Sequence, residues 1–329
     1  MRALVLGGTS FVGRHIVHAA RAAGMTVTLF NRGRTNPGLF SDVERIHGDR
    51  ERDLDALADR RWDAVIDVNG YVPRIVGLAA DALADRCEHY TFISTIAVYG
   101  DVGATAPDED VPVAELDTPT ERVTADTYGA LKAACEDVVR QRFGDRALVV
   151  RPGLVVGPHD PTERFVRWVR RAAEGGEMLA PGDPDGPVQF IDGRDLGDWV
   201  VRMVLASAAG TFNATGPHPA VTFGQLLQTC TDAAGAGTAL EWVAEAFLLD
   251  HEVQPWTDLP LWLPADANGM SRTVVDRAIA AGLTFRSLQD TVRATLLWDQ
   301  TRADRRPAGM PLDRERELLA AWEEHRRRR

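Results

Sequence analysis

An apolar strand over residues 2–6 runs without a linker into Gly7-Gly8-Thr9-Ser10-Phe11-Val12-Gly13, after which apolar residues recur at helical spacing over 12–23. Such a strand, glycine turn and helix aim the amides of the first helical turn at whatever lies beyond the strand end. An anionic group such as a pyrophosphate suits that place. Gly7 permits the tight turn and Gly13 the close packing of helix on strand, with Thr9, Phe11 and Val12 completing the loop. Ser10 departs from a Gly-x-x-Gly-x-x-Gly pattern, standing where its middle glycine would be.

The same rhythm continues. Strands are expected at 26–30, 44–47, 63–68, 89–94 and 147–151, with helices at 74–85 and 125–143 between them. Alternation with short connections predicts an α/β fold, a doubly wound parallel sheet covered by helices on both faces. The dinucleotide-binding part is expected over 1–157. After Pro152 the character changes: a helix is expected over 162–175 and a turn over 182–187. A strand at 188–191, a helix at 196–206 and a strand at 211–213 would return to the sheet within 188–215. Segments 158–187 and 216–302 are expected to form a smaller, mixed substrate lobe, Trp256 and Trp262 packing in its core. Over 303–329 a charged tail and helix follow, with Leu318, Leu319 and Trp322 placed to dock, and Arg326–Arg329 expected to be solvated and frayed.

A net charge of −11 argues against nucleic-acid and anionic-membrane partners. Cys87, Cys135 and Cys230 stand in no metal or redox spacing, so no metal site and free thiols in a reducing compartment are expected. No apolar run approaches the roughly 20 residues that span a bilayer, and the opening apolar run is too short for a secretion signal. A cytoplasmic location is the expectation.

Where the second strand ends, the acidic residue that would bind a ribose 2′-hydroxyl is missing and the chain reads Asn31-Arg32-Gly33-Arg34. The planar fork of Arg32, aided by Asn31 and Arg34, matches a 2′-phosphate, which favours NADP over NAD. Asp49, after the third strand, is placed to accept the adenine amino group. Val68, Asn69 and Gly70, at the end of the fourth, would let the backbone approach the cofactor.

Tyr128 and Lys132 lie four residues apart on one predicted helix, their origins about 6 Å apart along its axis. A carbonyl reduced by hydride needs a proton, and a phenol near pKa 10 gives one readily only where a neighbouring ammonium stabilises the phenolate. Thr95, at the end of the fifth strand, supplies a hydroxyl to hold the substrate oxygen in line.

Together with Ser94-Thr95-Ile96-Ala97-Val98-Tyr99-Gly100, Tyr128-Gly129-Ala130-Leu131-Lys132 with Glu136, and Arg151-Pro152-Gly153-Leu154-Val155-Val156-Gly157-Pro158, the glycine loop makes the chain resemble the extended short-chain dehydrogenase/reductases, or NAD-dependent epimerase/dehydratase family. The resemblance implies a Rossmann-type fold with Thr95 in the catalytic Ser/Thr position, Tyr128 as acid/base and Lys132 as a bridge to the nicotinamide ribose. It places Pro152, Gly153 and Leu154 at the nicotinamide end, leaves Tyr99 to packing, and suggests a homodimer through helices 74–85 and 125–143. Ile96-Ala97 replaces the acidic pair that sugar-nucleotide dehydratases of the family carry, which argues against dehydration. Pro152-Gly153 replaces the asparagine of typical epimerases. A net reductase acting on a C=O, C=N or hemiaminal carbon of a small metabolite is therefore favoured. An NAD-dependent sugar-nucleotide epimerase, and a non-catalytic nucleotide sensor or RNA-associated protein on the same fold, are the alternatives. His159, Asp160 and Gln189 are the candidate substrate contacts. Arg164, Arg167, Arg170 and Arg171 read as a solvated helix face.

Overall fold

The computed structural model describes residues 1–328. Strands β1 (Arg2–Leu6), β2 (Thr26–Asn31), β3 (Glu44–His47), β4 (Trp62–Asp67), β5 (Cys87–Ile93) and β6 (Ala147–Pro152) alternate with helices α1 (Phe11–Ala22), α2 (Pro73–Leu83) and α3 (Ala125–Phe143). The second half carries strands β7 (Val155–Val156), β8 (Glu177–Pro181), β9 (Pro187–Val188), β10 (Ile191–Asp192), β11 (Gly210–Ala214), β12 (Val221–Thr222) and β13 (Ala239–Val243). Its helices are α4 (Arg164–Ala173), α5 (Gly193–Leu205), α6 (Phe223–Ala234), α7 (Glu245–Asp250), α8 (Asp276–Ala280), α9 (Leu288–Gln300) and α10 (Leu312–Arg328).

Seven strands pair in the order β11-β6-β5-β4-β1-β2-β3, all parallel. Strand order reverses between β1 and β4, which opens a crevice at their carboxyl ends. One face of the sheet buries Val5, Leu29 and Ile66 against Ile16 and Val17 of α1 and Leu196 and Val200 of α5. The other buries Leu4, Val65 and Tyr90 against Val76 of α2 and Cys135 and Val139 of α3. Each such aliphatic side chain contributes roughly 1.5–3 kcal/mol by leaving water. A capping box at Thr124, whose side chain accepts from the amide of Thr127, fixes where α3 begins.

A third core, with Phe165, Trp168, Met178, Leu226, Phe247, Trp262 and Leu318, holds the C-terminal elements together. The expected strand over 188–191 does not join the main sheet. It divides into β9, antiparallel to β12, and β10, parallel to β7, because the chain turns at Phe190, whose amide is donated to the Gly216 carbonyl. Only β11 returns, beside β6.

The arginines of α4 are not a solvated face. Arg167 and Arg171 are buried on Glu315 of α10, and Arg170 clamps Asp299 and Glu163. Arg164 lies over the Trp256 ring. The basic tail is helical through Arg328: Arg326 pairs with Glu241, Arg327 with Glu323 and Arg328 with Glu324. Arg329 lies outside the described residues. No described helix is long and apolar enough to cross a membrane.

Candidate active site

A cavity of about 520 Å³ opens at the carboxyl edge of the sheet, over the crevice between β1 and β4. The glycine loop forms its floor at one end. Gly7 and Gly8 both take positive φ, +110° and +89°, and a side chain on Gly8 would start 2.8 Å from Leu29. A Cβ on Gly13 would lie 2.9 Å from the Gly8 backbone, so α1 can rest directly on the loop. The start of α1 has no side-chain cap and no acidic residue in its first turn, so its amides remain available to an anion. Gly8 was not among the residues expected to bind the cofactor, although two adjacent glycines are its signal in the sequence.

Asn31, Arg32 and Arg34 line the same end, as does Asp49. Asn31 is committed to the loop, donating from Nδ2 to the Gly7 carbonyl at 2.8 Å and accepting the Gly33 amide on Oδ1 at 3.0 Å. It braces the turn that presents Arg32. Arg32 and Arg34 are exposed, and no carboxylate pairs with either among the described residues. Asp49 accepts the Glu51 amide on Oδ1.

At the other end lie Ser94, Thr95, Tyr128, Lys132, Pro152 and Gly153. β5 stops at Ile93, and Thr95 caps a short turn over 96–99 by accepting the Ala97 amide at 3.1 Å. α3 crosses this turn so closely that a Cβ on Gly129 would meet the Ala97 carbonyl oxygen at 2.1 Å, and this contact brings Tyr128 beside Thr95. Burial pushes the Tyr128 phenol above its ordinary pKa, and the Thr95 hydroxyl pulls the other way. Lys132 donates to the Gly70 carbonyl at 2.7 Å and to the Ile93 carbonyl at 2.6 Å. Desolvation lowers its pKa to about 8. The expectation that the ammonium would acidify the phenol is therefore not met in this arrangement. Burial is the largest influence on the phenol, and two of the three ammonium N–H groups face main-chain oxygens.

Val68 and Asn69 line the cavity, whereas Gly70 is packed against Val76 and Phe92 and acts through its carbonyl on Lys132. Leu154, His159, Asp160 and Gln189 do not line it. His159 contacts Arg14 and the Trp298 ring, and burial takes its pKa to about 4. Asp160 caps its own turn through the Thr162 amide and hydroxyl, and Gln189 donates to the Thr273 carbonyl. Asp160 Oδ2 and Gln189 Oε1 are buried without a hydrogen-bond partner among the described residues. Tyr71, whose ring lies 6.3 Å from that of Tyr128, and Arg50 also line the cavity without a signal in the sequence pattern, whereas Ser94 lines it from within the Ser94–Gly100 motif. As expected, Tyr99 packs: its buried hydroxyl donates to Asn213 and accepts from Arg151.

A dinucleotide fits these residues. The glycine cradle leaves room that any Cβ would fill, the α1 amides face it, and the buried Ser94 hydroxyl lacks a hydrogen-bond partner at the far end.

Comparison with known proteins agrees. The family model described as NAD dependent epimerase/dehydratase family matches residues 3–214. A UDP-glucose 4-epimerase of Azospirillum brasilense is 33% identical over 188 residues, 50% of this chain and 51% of that protein. The 2'-dehydrokanamycin reductase of Streptomyces kanamyceticus is 32% identical over 224 residues, 64% of this chain and 59% of that protein. Chloroplast stem-loop binding protein of 41 kDa b from Arabidopsis thaliana is 26% identical over 254 residues, 70% of this chain and 63% of that protein. The chain thus matches only about half to three-fifths of these relatives' length. Among solved structures, the UDP-glucose 4-epimerase of Thermus thermophilus in complex with NAD superposes with a TM-score of 0.66 at 21% identity, covering 92% of this chain and 100% of that one. A human epimerase family protein with NADPH superposes with a TM-score of 0.62 at 20% identity, covering 90% and 99%. With the glycine loop, the parallel sheet and the Thr95, Tyr128 and Lys132 group converging on one crevice, the chain belongs to the NAD-dependent epimerase/dehydratase family.

Proposed function

We propose that the protein is an NADP-dependent reductase acting on a C=O, C=N or hemiaminal carbon of a small metabolite. The carrying observation is that Thr95, Tyr128 and Lys132 line the same cavity as a glycine loop flanked by two arginines that have no carboxylate partner among the described residues. When bound, the reduced dinucleotide supplies the hydride. The Thr95 hydroxyl holds the substrate oxygen, and the Tyr128 hydroxyl gives its proton to that oxygen as negative charge develops there. The third N–H of Lys132 is left for a ribose hydroxyl or for the phenolate. The relative named a 2'-dehydrokanamycin reductase supports net reduction. The relative named a UDP-glucose 4-epimerase keeps epimerisation as the second reading, and NAD retained through purification would favour it. Recognition of the substrate is assigned to the C-terminal lobe, beyond Pro161 at the cavity wall.

Fluorescence titration with both cofactors tests the assignment. Arg32→Ala should weaken NADPH about 10- to 100-fold, the loss of one or two charge-assisted hydrogen bonds, and leave NADH nearly unchanged. An equal loss for both removes the argument for NADP. Lys132 loses its charge as pH rises through about 8, so carbonyl reduction should decline above that pH. A rate that stays flat well beyond it would show that the ammonium plays no part.

A further inference from the structure

Lys132 is the only lysine among 329 residues, in a chain that otherwise draws its basic charge from arginine. A guanidinium stays protonated in any protein setting, whereas a buried ammonium can lose its proton, so this position alone carries a titratable strong base. It is 2% exposed and touches no carboxylate. Beneath it the Phe92 ring lies 4.0 Å from Nζ, and the Tyr71 ring stands 5.6 Å away. Phe92 is the β5 partner of Asp67 at the end of β4. A Cβ on Gly70, whose carbonyl holds Lys132, would sit 3.2 Å from Asp67 Oδ2. Asp67 is fully buried. Arg50 Nη1 and Nη2 donate to its two oxygens at 2.9 and 2.6 Å, and the Tyr90 hydroxyl donates to Oδ2 at 3.0 Å.

We infer that Asp67 is a positioning residue for the proton-transfer group, its carboxylate keeping the sole ammonium charged while Arg50, at the cavity wall, opposes it. This rests on the reading of Lys132 as part of that group. The groups facing Lys132 are few. Cys135, one turn along α3, is held as the neutral thiol by burial, its pKa pushed up to about 12, and supplies no charge. Tyr128 and Tyr71 are phenols raised above their ordinary values by burial, and are neutral. Glu136 accepts from both Arg151 and Arg140, so its field is offset by two cations. Among the described residues Asp67 has one cationic partner, Arg50, and acts from a fully buried position where a charge is less screened than at the surface. Desolvation favours loss of the Lys132 proton, Asp67 opposes that loss, and Arg50 promotes it.

The single lysine makes the test direct and independent of substrate and cofactor. Protein labelled with 15N at the lysine side chain carries one Nζ resonance, whose pH titration in the apoprotein reports this amine alone. Asp67→Asn should move the midpoint down by about one pH unit, and Arg50→Gln should move it up. Should Asp67→Asn fail to fold, Arg50→Gln carries the test with the opposite sign. Should both fail, the double variant, which removes the anion and its cation together, should still shift the midpoint down. A midpoint unchanged from the native protein, or displaced in the reverse direction, overturns the inference. Failure of the reductase reading would instead appear as Tyr128→Phe leaving turnover untouched, whatever the Nζ titration shows.

Discussion

Tyr128→Phe is expected to cut hydride-transfer turnover about 10²- to 10⁴-fold, the usual worth of a positioned proton donor, while NADPH binding stays within a few-fold of the native value. The phenyl ring fills the same space, so the packing of α3 against the 96–99 turn, set by Gly129, should be kept. Only the hydroxyl beside Thr95 is removed. The phenol is buried and its pKa raised, so it is a proton source that stays protonated through neutral pH. That suits reduction, where the developing alkoxide takes the proton, better than oxidation, where the phenolate must form first. The effect should therefore lie in kcat rather than in cofactor affinity. Turnover equal to the native enzyme would discard the catalytic assignment, and parallel loss of NADPH binding would mean the substitution had disturbed the cavity itself.

The sheet was legible because parallel strands covered on both faces need apolar side chains in succession. Ala3-Leu4-Val5-Leu6 and Ala64-Val65-Ile66 show this directly. The lobe was not, since β7, β9, β10 and β12 are two residues long and no periodicity exists in so short a strand. Tyr128 and Lys132 could be read from helical spacing, and the glycine loop from its backbone demands. Arg50 and Asp67 could not, because their pairing joins the turn after β3 to the end of β4 through tertiary structure alone. His159, Asp160 and Gln189 were polar residues at plausible places, but their hydrogen bonds go to Arg14 of α1, to Thr162 and to the Thr273 carbonyl, none of which lines the cavity. The arginines of α4 misled for a related reason. Local sequence shows four cations on ten residues, while Glu315 lies 144 positions from Arg171 and Asp299 lies 129 from Arg170.

Those distant partners give the second large effect. Glu315→Gln should destabilise the C-terminal lobe by about 3–5 kcal/mol, the cost of leaving buried charges without their counterion. Glu315 is 1% exposed and accepts from Arg171 Nε at 2.9 Å, Arg167 Nη2 at 3.2 Å and the Leu179 amide at 3.1 Å, so one carboxylate ties α10 to both α4 and β8. The two guanidiniums, both buried, would lose the carboxylate they share. Urea denaturation followed by tryptophan fluorescence, which samples Trp168 and Trp262 in this core, would report the loss as a lower midpoint. A native midpoint would show that α10 is held by apolar contact alone. If the destabilisation comes from uncompensated charge, the triple variant Arg167→Met, Arg171→Met, Glu315→Leu should recover much of it, since apolar groups of similar volume can replace a buried ion triad at little cost. Because α4 follows the 157–163 loop that carries Pro161 to the cavity wall, loosening this anchor should also raise KM for substrate more than it alters cofactor binding.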